Sequence, residues 1–331
     1  MDLTSTLARK RFARFARVLL AYNIPVILWG AYVRISFSGD GCGANWPFCN
    51  GQAIPQHMSA PTLIEYTHRM MTSLDVTGAL ALCAWAFVAF PRKHAVRLYS
   101  LLSLLFLFVE ALLGAGLVLL RLVAKDQSAG RALYLSAHLT NTMLLLAALT
   151  ATVWLAGANI HRVRWRSAPN ALVGALGVAM LVSVTGAVAA LGDTLFPASS
   201  LAAGMQQDFS SASSLLLRLR LFHPLIAVAG AAYIVWTASQ AMRRSVSEGG
   251  RSAAARVITV AVFQVAAGAV NLTLLAPVWM QLFHLFLADL LWIFLIVLLL
   301  DVVAAIAIRP SETSLRQEAN QVVQSAAASG L

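Results

Sequence analysis

Residues Glu65-Tyr66-Thr67-His68-Arg69 place a carboxylate and an imidazole three positions apart at the mouth of an apolar run. On a helix, positions i and i+3 share a face, so Glu65 and His68 point the same way. Three further histidines, His138, His223 and His284, sit at similar depth in later apolar runs. An ionisable residue inside a membrane span is costly and marks function by default. In a four-helix unit, histidines on two facing helices can reach one iron from opposite sides, as bundle cores commonly build cofactor sites. Imidazole is a standard axial ligand of haem iron. The pairs so defined are His68 with His138 and His223 with His284. The plainer reading of any one of them is a core histidine bonded to its neighbours. Recurrence at matching depth in paired helices argues against that for all four. Zinc is disfavoured, because neither pair has the extra Cys, Asp or Glu ligands of a closed site. His57, His94 and His161 fall in loops and are expected to be ordinary surface residues.

The elements that must position these side chains are membrane spans. The 331 residues are 60% hydrophobic and 11% charged, with a mean hydropathy of +0.77. A water-soluble domain could not hide that much apolar surface. The net charge of +11 does not imply a nucleic-acid partner, because the charges lie in short loops where topology explains them. Arg9, Lys10, Arg11, Arg14 and Arg17 resemble a signal or transit n-region. The apolar run after them continues past Gly30 to Ile35 without a small-residue cleavage pattern, which predicts an uncleaved first span. Eight spans are expected, at roughly 14–36, 62–90, 97–121, 131–157, 169–191, 214–240, 255–276 and 278–308. Each can cross a hydrocarbon core of about 30 Å. With both termini cytoplasmic, 17 Lys and Arg residues fall inside and 7 outside, which the positive-inside rule favours. All four histidines then lie towards the outer face. The short N-terminus points to a prokaryotic cell (inner) membrane, crossed many times.

The chain also carries an internal duplication. His68 to His223 is 155 residues and His138 to His284 is 146; Gly30-Ala31 matches Gly186-Ala187, and Glu110–Gly116 matches Gln264–Val270. The expected fold is an all-α polytopic membrane protein, with two tandem four-helix bundles of the same topology related by a pseudo-two-fold axis. The expected domains are residues 1–166, 167–309 and a polar cytoplasmic tail over 310–331. The loop at 192–213 is Ser/Ala-rich and lacks cysteine.

Glu65 breaks the symmetry, since its counterpart 155 residues on is Arg220. A carboxylate in an apolar pocket can exchange protons near neutral pH; Glu65 could equally be a first-turn carboxylate stabilised by the helix dipole. Arg34, Arg69, Arg218 and Arg220 are candidate partners for haem propionates or interface arginines that snorkel. Cys42 and Cys49 share an outer loop, where a disulfide is expected, structural or relaying redox equivalents. Cys83 is expected to pack as a small hydrophobe. Asp75 lies two turns beyond His68, to bond across helices or pass protons. Glu110, Asp289 and Asp301 have no role assignable from sequence. Gly114, Gly116 and Gly268 are read as close-packing residues.

Several motifs together resemble the haem A synthases, membrane enzymes that oxidise a methyl group of haem O to the formyl group of haem A. They are Gly30–Arg34, Ser38–Gly43, Trp46–Gly51, Glu65–Arg69, His138–Thr142, Phe222-His223-Pro224 and Gln281–His284. The resemblance covers nearly the whole chain. It implies that His68 and His138 bind the substrate haem, that His223 and His284 bind a haem b cofactor, and that Glu65 is the catalytic carboxylate beside the C8 methyl group. It also implies a loop cysteine pair, Cys42 and Cys49. Some members carry a second pair between spans 5 and 6, and this chain has none there. Arg34, Arg69 and Arg220 remain the propionate candidates. The expected reaction is successive hydroxylation to an alcohol and then to a gem-diol that loses water. The expected partners are haem O, the haem O synthase (a farnesyltransferase) that supplies it, and the membrane, with a homo-oligomer left open. The alternative is a di-haem b electron-transfer protein of quinol or ferric reductase type. Such a protein would place haems near both faces, whereas these four ligands lie on one side. A haem carrier without catalysis, or a haem-free transporter, completes the set.

Overall fold

In a bilayer every backbone N–H and C=O must be satisfied within its own segment, so long apolar runs become helices. The computed structural model describes residues 3–158, 160–210, 215–245 and 248–308. Eight helices are long and apolar enough to cross a membrane, and no strand occurs among the described residues. They are α1 (Leu3–Ile35), α2 (Ala60–Ala89), α3 (Ala95–Leu119), α4 (Ala129–Ala158), α5 (Asn170–Leu195), α7 (Leu215–Arg244), α8 (Glu248–Thr273) and α9 (Val278–Ile308), with a short α6 (Leu201–Phe209) between α5 and α7. The expected tail over 310–331, with Arg309 and Arg316, lies outside the described residues.

Local chemistry sets the boundaries. Ser59 caps α2 by accepting from the Thr62 N–H at 3.3 Å, and Pro61 stands in the first turn, where its missing N–H costs nothing. Helix α2 stops before Pro91. Helix α1 begins well before the expected residue 14, because Arg and Lys are good helix formers and extend it out of the apolar layer. The loop expected over 192–213 is a helical extension to Leu195 followed by α6. Ser200 starts α6 by accepting from the Ala203 N–H at 3.1 Å.

Helix α1 packs on α2, α2 on α3, α3 on α4, and α4 back on α1, closing a ring. Helices α5, α7, α8 and α9 close a second ring in the same way, and α4 meets α9 and α5 between the rings. Helices α2 and α4 face each other diagonally across the first ring, as α7 and α9 do across the second. Trp292 Nε1 donates to the Met143 carbonyl at 2.7 Å and Trp154 Nε1 to Asp301 at 2.7 Å, tying α4 to α9.

Dense packing lies at one end of both rings. It joins Phe12, Leu19, Leu82, Leu149 and Leu155 in the first ring, and Ile234, Val257, Leu295, Leu298 and Leu300 in the second. Among the described residues no side chain over 66–74, 132–140, 220–229 or 281–286 is fully buried. Those four stretches carry His68, His138, His223 and His284.

His94 corrects the expectation of a surface residue. It is 2% exposed, caps α3 by accepting from the Val96 N–H at 3.2 Å, and packs on Phe90 and His161 with ring centroids 4.7 Å away in each case. The role needs a neutral imidazole. Burial first, then the neighbouring His161 and Arg9, push its pKa down to about 4. The unfolded chain takes up this proton near pH 6.5 and the folded chain does not, so stability falls as pH drops from about 6.5 towards 4. His94→Asn keeps the cap without the titration. Melting temperatures at pH 7.5 and pH 5 should therefore differ more for the wild type than for this variant.

Candidate functional site

Each histidine lies six to nine residues into its helix: His68 in α2, His138 in α4, His223 in α7 and His284 in α9. At 1.5 Å per residue that is about 9–14 Å from the same end of each. His68 and His138 are on diagonal helices within electrostatic reach of each other, and so are His223 and His284.

A glycine of the neighbouring helix backs every one of these rings. A Cβ built on Gly30 would lie 2.9 Å from His68 Cε1, and one on Gly186 would lie 2.9 Å from His223 Cε1. The corresponding closest approaches are 3.1 Å for Gly268 to His284 Cε1 and 3.6 Å for Gly114 to His138 Nε2. Gly114 and Gly268, expected as close-packing residues, each make room for an imidazole. The Gly30/Gly186 match in the duplication was the available signal.

The second nitrogen of each ring is treated differently. His138 Nδ1 lies 2.7 Å from Glu110 Oε1. His223 Nδ1 is 3.1 Å from the Thr185 hydroxyl, and His284 Nε2 is 3.3 Å from the Gln264 amide. His68 Nδ1 and His284 Nδ1 are buried without a hydrogen-bond partner among the described residues. Glu110, without an assigned role in the sequence, thus joins the site. Asp75 bonds across helices, accepting from Asn23 Nδ2 at 3.0 Å, and Cys83 is buried and free.

Glu65 is 4% exposed and both its oxygens are engaged. Oε1 accepts from Arg69 Nη2 at 2.5 Å, and Oε2 from the Cys42 N–H at 2.8 Å. Cys42 and Cys49 form a disulfide. Arg69 Nη1 donates to the carbonyls of Asn45, Pro47 and Phe48 at 2.9, 3.2 and 2.9 Å. Thr62 adds a bond to the Gly41 carbonyl at 2.8 Å, and a Cβ at Gly41 would collide with the Pro61 carbonyl. The cysteine loop is therefore strapped onto the first two turns of α2.

The same position, three residues before the histidine, ties down the α5–α7 connection in the second ring. Arg220 pairs with Asp208 of α6 at 2.5 Å and with Asp193 at 3.1 Å, and reaches the Phe196 carbonyl at 3.4 Å. Gln281 donates to the Ala276 carbonyl at 2.7 Å. Arg34 crosses between the rings, donating to the Ala190 carbonyl at 2.6 Å, Thr194 at 2.8 Å and Gln281 at 3.3 Å. The three arginines expected at propionates are thus all bonded within the protein.

A flat, apolar, iron-centred ring suits this arrangement. Two diagonal imidazoles converge, glycine notches set their planes, unpartnered ring nitrogens are buried, and the interior around them is incompletely closed by side chains. Fold and site define a multi-pass helical membrane protein with two histidine pairs, each on diagonal helices of a four-helix ring. The sequence model of the cytochrome oxidase assembly protein family matches residues 13–296. A Thermus thermophilus protein named protoheme IX farnesyltransferase is 41% identical over 295 residues, which are 88% of this chain and 48% of that protein. A haem A synthase of Exiguobacterium sp. is 30% identical over 178 residues, 54% of this chain and 57% of that one. A haem A synthase of Lysinibacillus sphaericus is 37% identical over 105 residues, 32% and 34% of the two chains. The chain spans about half the length of the Thermus relative. It belongs to the cytochrome oxidase assembly protein family.

The glycine notches order a set of substitutions. Gly30→Ala and Gly186→Ala should displace their imidazoles and lower cofactor affinity about 10- to 100-fold, in the range found when support around a metal ligand is lost. Gly114→Ala, with 3.6 Å of room, should stay near the wild type. Soret absorbance per mole of purified protein reads the difference.

Proposed function

We propose that this protein is a haem A synthase, oxidising the C8 methyl of haem O to a formyl group. The observation that carries this reading is Glu65: a buried carboxylate one turn from His68, fixed by Arg69 and the cysteine loop, at the end of the ring where His68 and His138 converge. In this reading residues 1–166 hold the substrate haem between His68 and His138, and residues 167–309 hold a haem b between His223 and His284.

Bound haem supplies the iron chemistry. The chain supplies position and proton handling. A methyl carbon is unreactive, so it must be held rigidly beside the oxidising centre, and His68 and His138 would hold the haem that carries it. Forming the aldehyde by way of an alcohol and a gem-diol, with water supplying the oxygen atom, removes four electrons to an electron acceptor and releases four protons. Glu65 is the group placed to accept them, with Arg69 and the Cys42 N–H holding its charge between transfers. The strapped cysteine loop restricts water above the site. In the second half Arg220 occupies the position of Glu65 and offers no base, so that half holds a cofactor. Arg34, Arg69 and Arg220 reach a propionate only by sharing donors with their present acceptors. The distribution of Lys and Arg puts both termini in the cytoplasm and the histidine end towards the outer face of a cell membrane.

The partner that fits is haem O synthase. The Thermus relative, named a farnesyltransferase, carries a segment similar to this chain within one polypeptide. Haem O is poorly soluble in water, and passage between linked or adjacent proteins avoids its release. An electron-transfer role is disfavoured, because all four ligands lie at one end of the bundle.

Glu65→Ala should abolish product while haem at the second site remains; full activity in that variant would remove Glu65 from the chemistry. Haem extraction from the purified protein, with chromatography and mass detection, tests the function itself. Haem b together with haem O, its hydroxylated form or haem A supports it. Haem b alone, with haem O supplied, favours electron transfer, and no haem at all refutes the site.

A further inference from the structure

Glu110 belongs to a network that exists in only one half. Its Oε1 faces His138 Nδ1 at 2.7 Å and also hydrogen-bonds the Thr142 hydroxyl. Its Oε2 accepts from Asn141 Nδ2 at 2.5 Å. Asn141 is itself placed by a bond to the Phe106 carbonyl at 2.8 Å. In the duplicated half the counterpart of Glu110 is Gln264, and the counterparts of Asn141 and Thr142 are Leu287 and Ala288. His284 has a neutral amide 3.3 Å from its Nε2, no carboxylate on its Nδ1, which has no hydrogen-bond partner among the described residues, and none of the supporting donors.

An acceptor-only carboxylate on Nδ1 makes that nitrogen the N–H, leaving Nε2 with the free lone pair. A charged acceptor also draws the N–H proton and makes the imidazole a stronger donor, which favours the ferric over the ferrous ion. We infer that Glu110 is a positioning residue that sets the tautomer and donor strength of His138, so that the iron held in the first half has a lower reduction potential than the iron held in the second. This rests on the haem reading above.

The test is a spectroelectrochemical titration of the haem-loaded protein, with each wave assigned to its half through His138→Ala and His284→Ala. Glu110→Gln removes the charge and keeps the side-chain shape. At fixed ambient potential it should lower the ferric-to-ferrous ratio of the first haem about tenfold, an upward move of 59 mV for a one-electron couple, with the second wave unmoved. Glu110→Asp, which keeps the charge, should recover part of the shift. Thr142→Val keeps the side-chain shape, strips one donor from the carboxylate and should move the first wave down, so the inference is tested even where Glu110→Gln fails to accumulate. Two waves in the wild type that no variant moves, or loss of haem without a shift in potential, would overturn the role of Glu110 and leave the haem sites standing. A wild type with no haem wave would instead remove the haem reading itself.

Discussion

An imidazole inside an apolar span needs room for its ring and partners for its nitrogens; this structure provides the room four times, and leaves Nδ1 of His68 and of His284 without a partner among the described residues. Burying an unpaired polar group costs about 1–3 kcal/mol. Gly30, Gly114, Gly186 and Gly268 answer the steric half by letting a neighbouring helix approach until the ring edge lies on its backbone. Close approach in turn dictates which helices are adjacent, α1 with α2, α3 with α4, α5 with α7 and α8 with α9. Each ring of helices then carries its two histidines on the diagonal. The dense apolar core, pushed to the other end, anchors the bundle without filling the space between the imidazoles.

The duplicated halves share this scaffold and differ in the charges around it. The first half has carboxylates near both histidines, Glu65 by His68 and Glu110 against His138. The second has Arg220 and Gln264 at the matching places. One architecture thus presents two electrostatic environments at the same depth, which is what a protein needs if one bound group is to be transformed and the other retained.

Much of this was legible in the sequence. Hydropathy marks all eight spans, because a bilayer leaves helices few alternatives, and the histidine pairs follow from depth and repeat spacing. Glu110 was not legible as a partner of His138, since its bonds to Asn141 and Thr142 join helices more than thirty residues apart in the chain. The arginines read as propionate partners or snorkelling cations, and their bonds to loop carbonyls depend on loop paths that no pattern encodes. Helix α6 escaped because nine residues carry too little periodicity, although Leu201, Met205 and Phe209 at four-residue spacing, all exposed, behind Ser200 were its trace. His94 misled because a polar residue between two helices looks solvated, whereas it serves as a cap.

The two large loops at the histidine end are latched onto their histidine helices by different chemistries. The first is closed by a covalent bond between Cys42 and Cys49 and hooked to Glu65 through a backbone N–H. The second is closed by Arg220 gripping Asp193 and Asp208. A thiol reductant acts on the first latch and leaves the second untouched. Proton or salt concentration works on the second through its ion pairs, weakly because they are partly buried. Reduction can therefore loosen one roof of the molecule while the other stays in place.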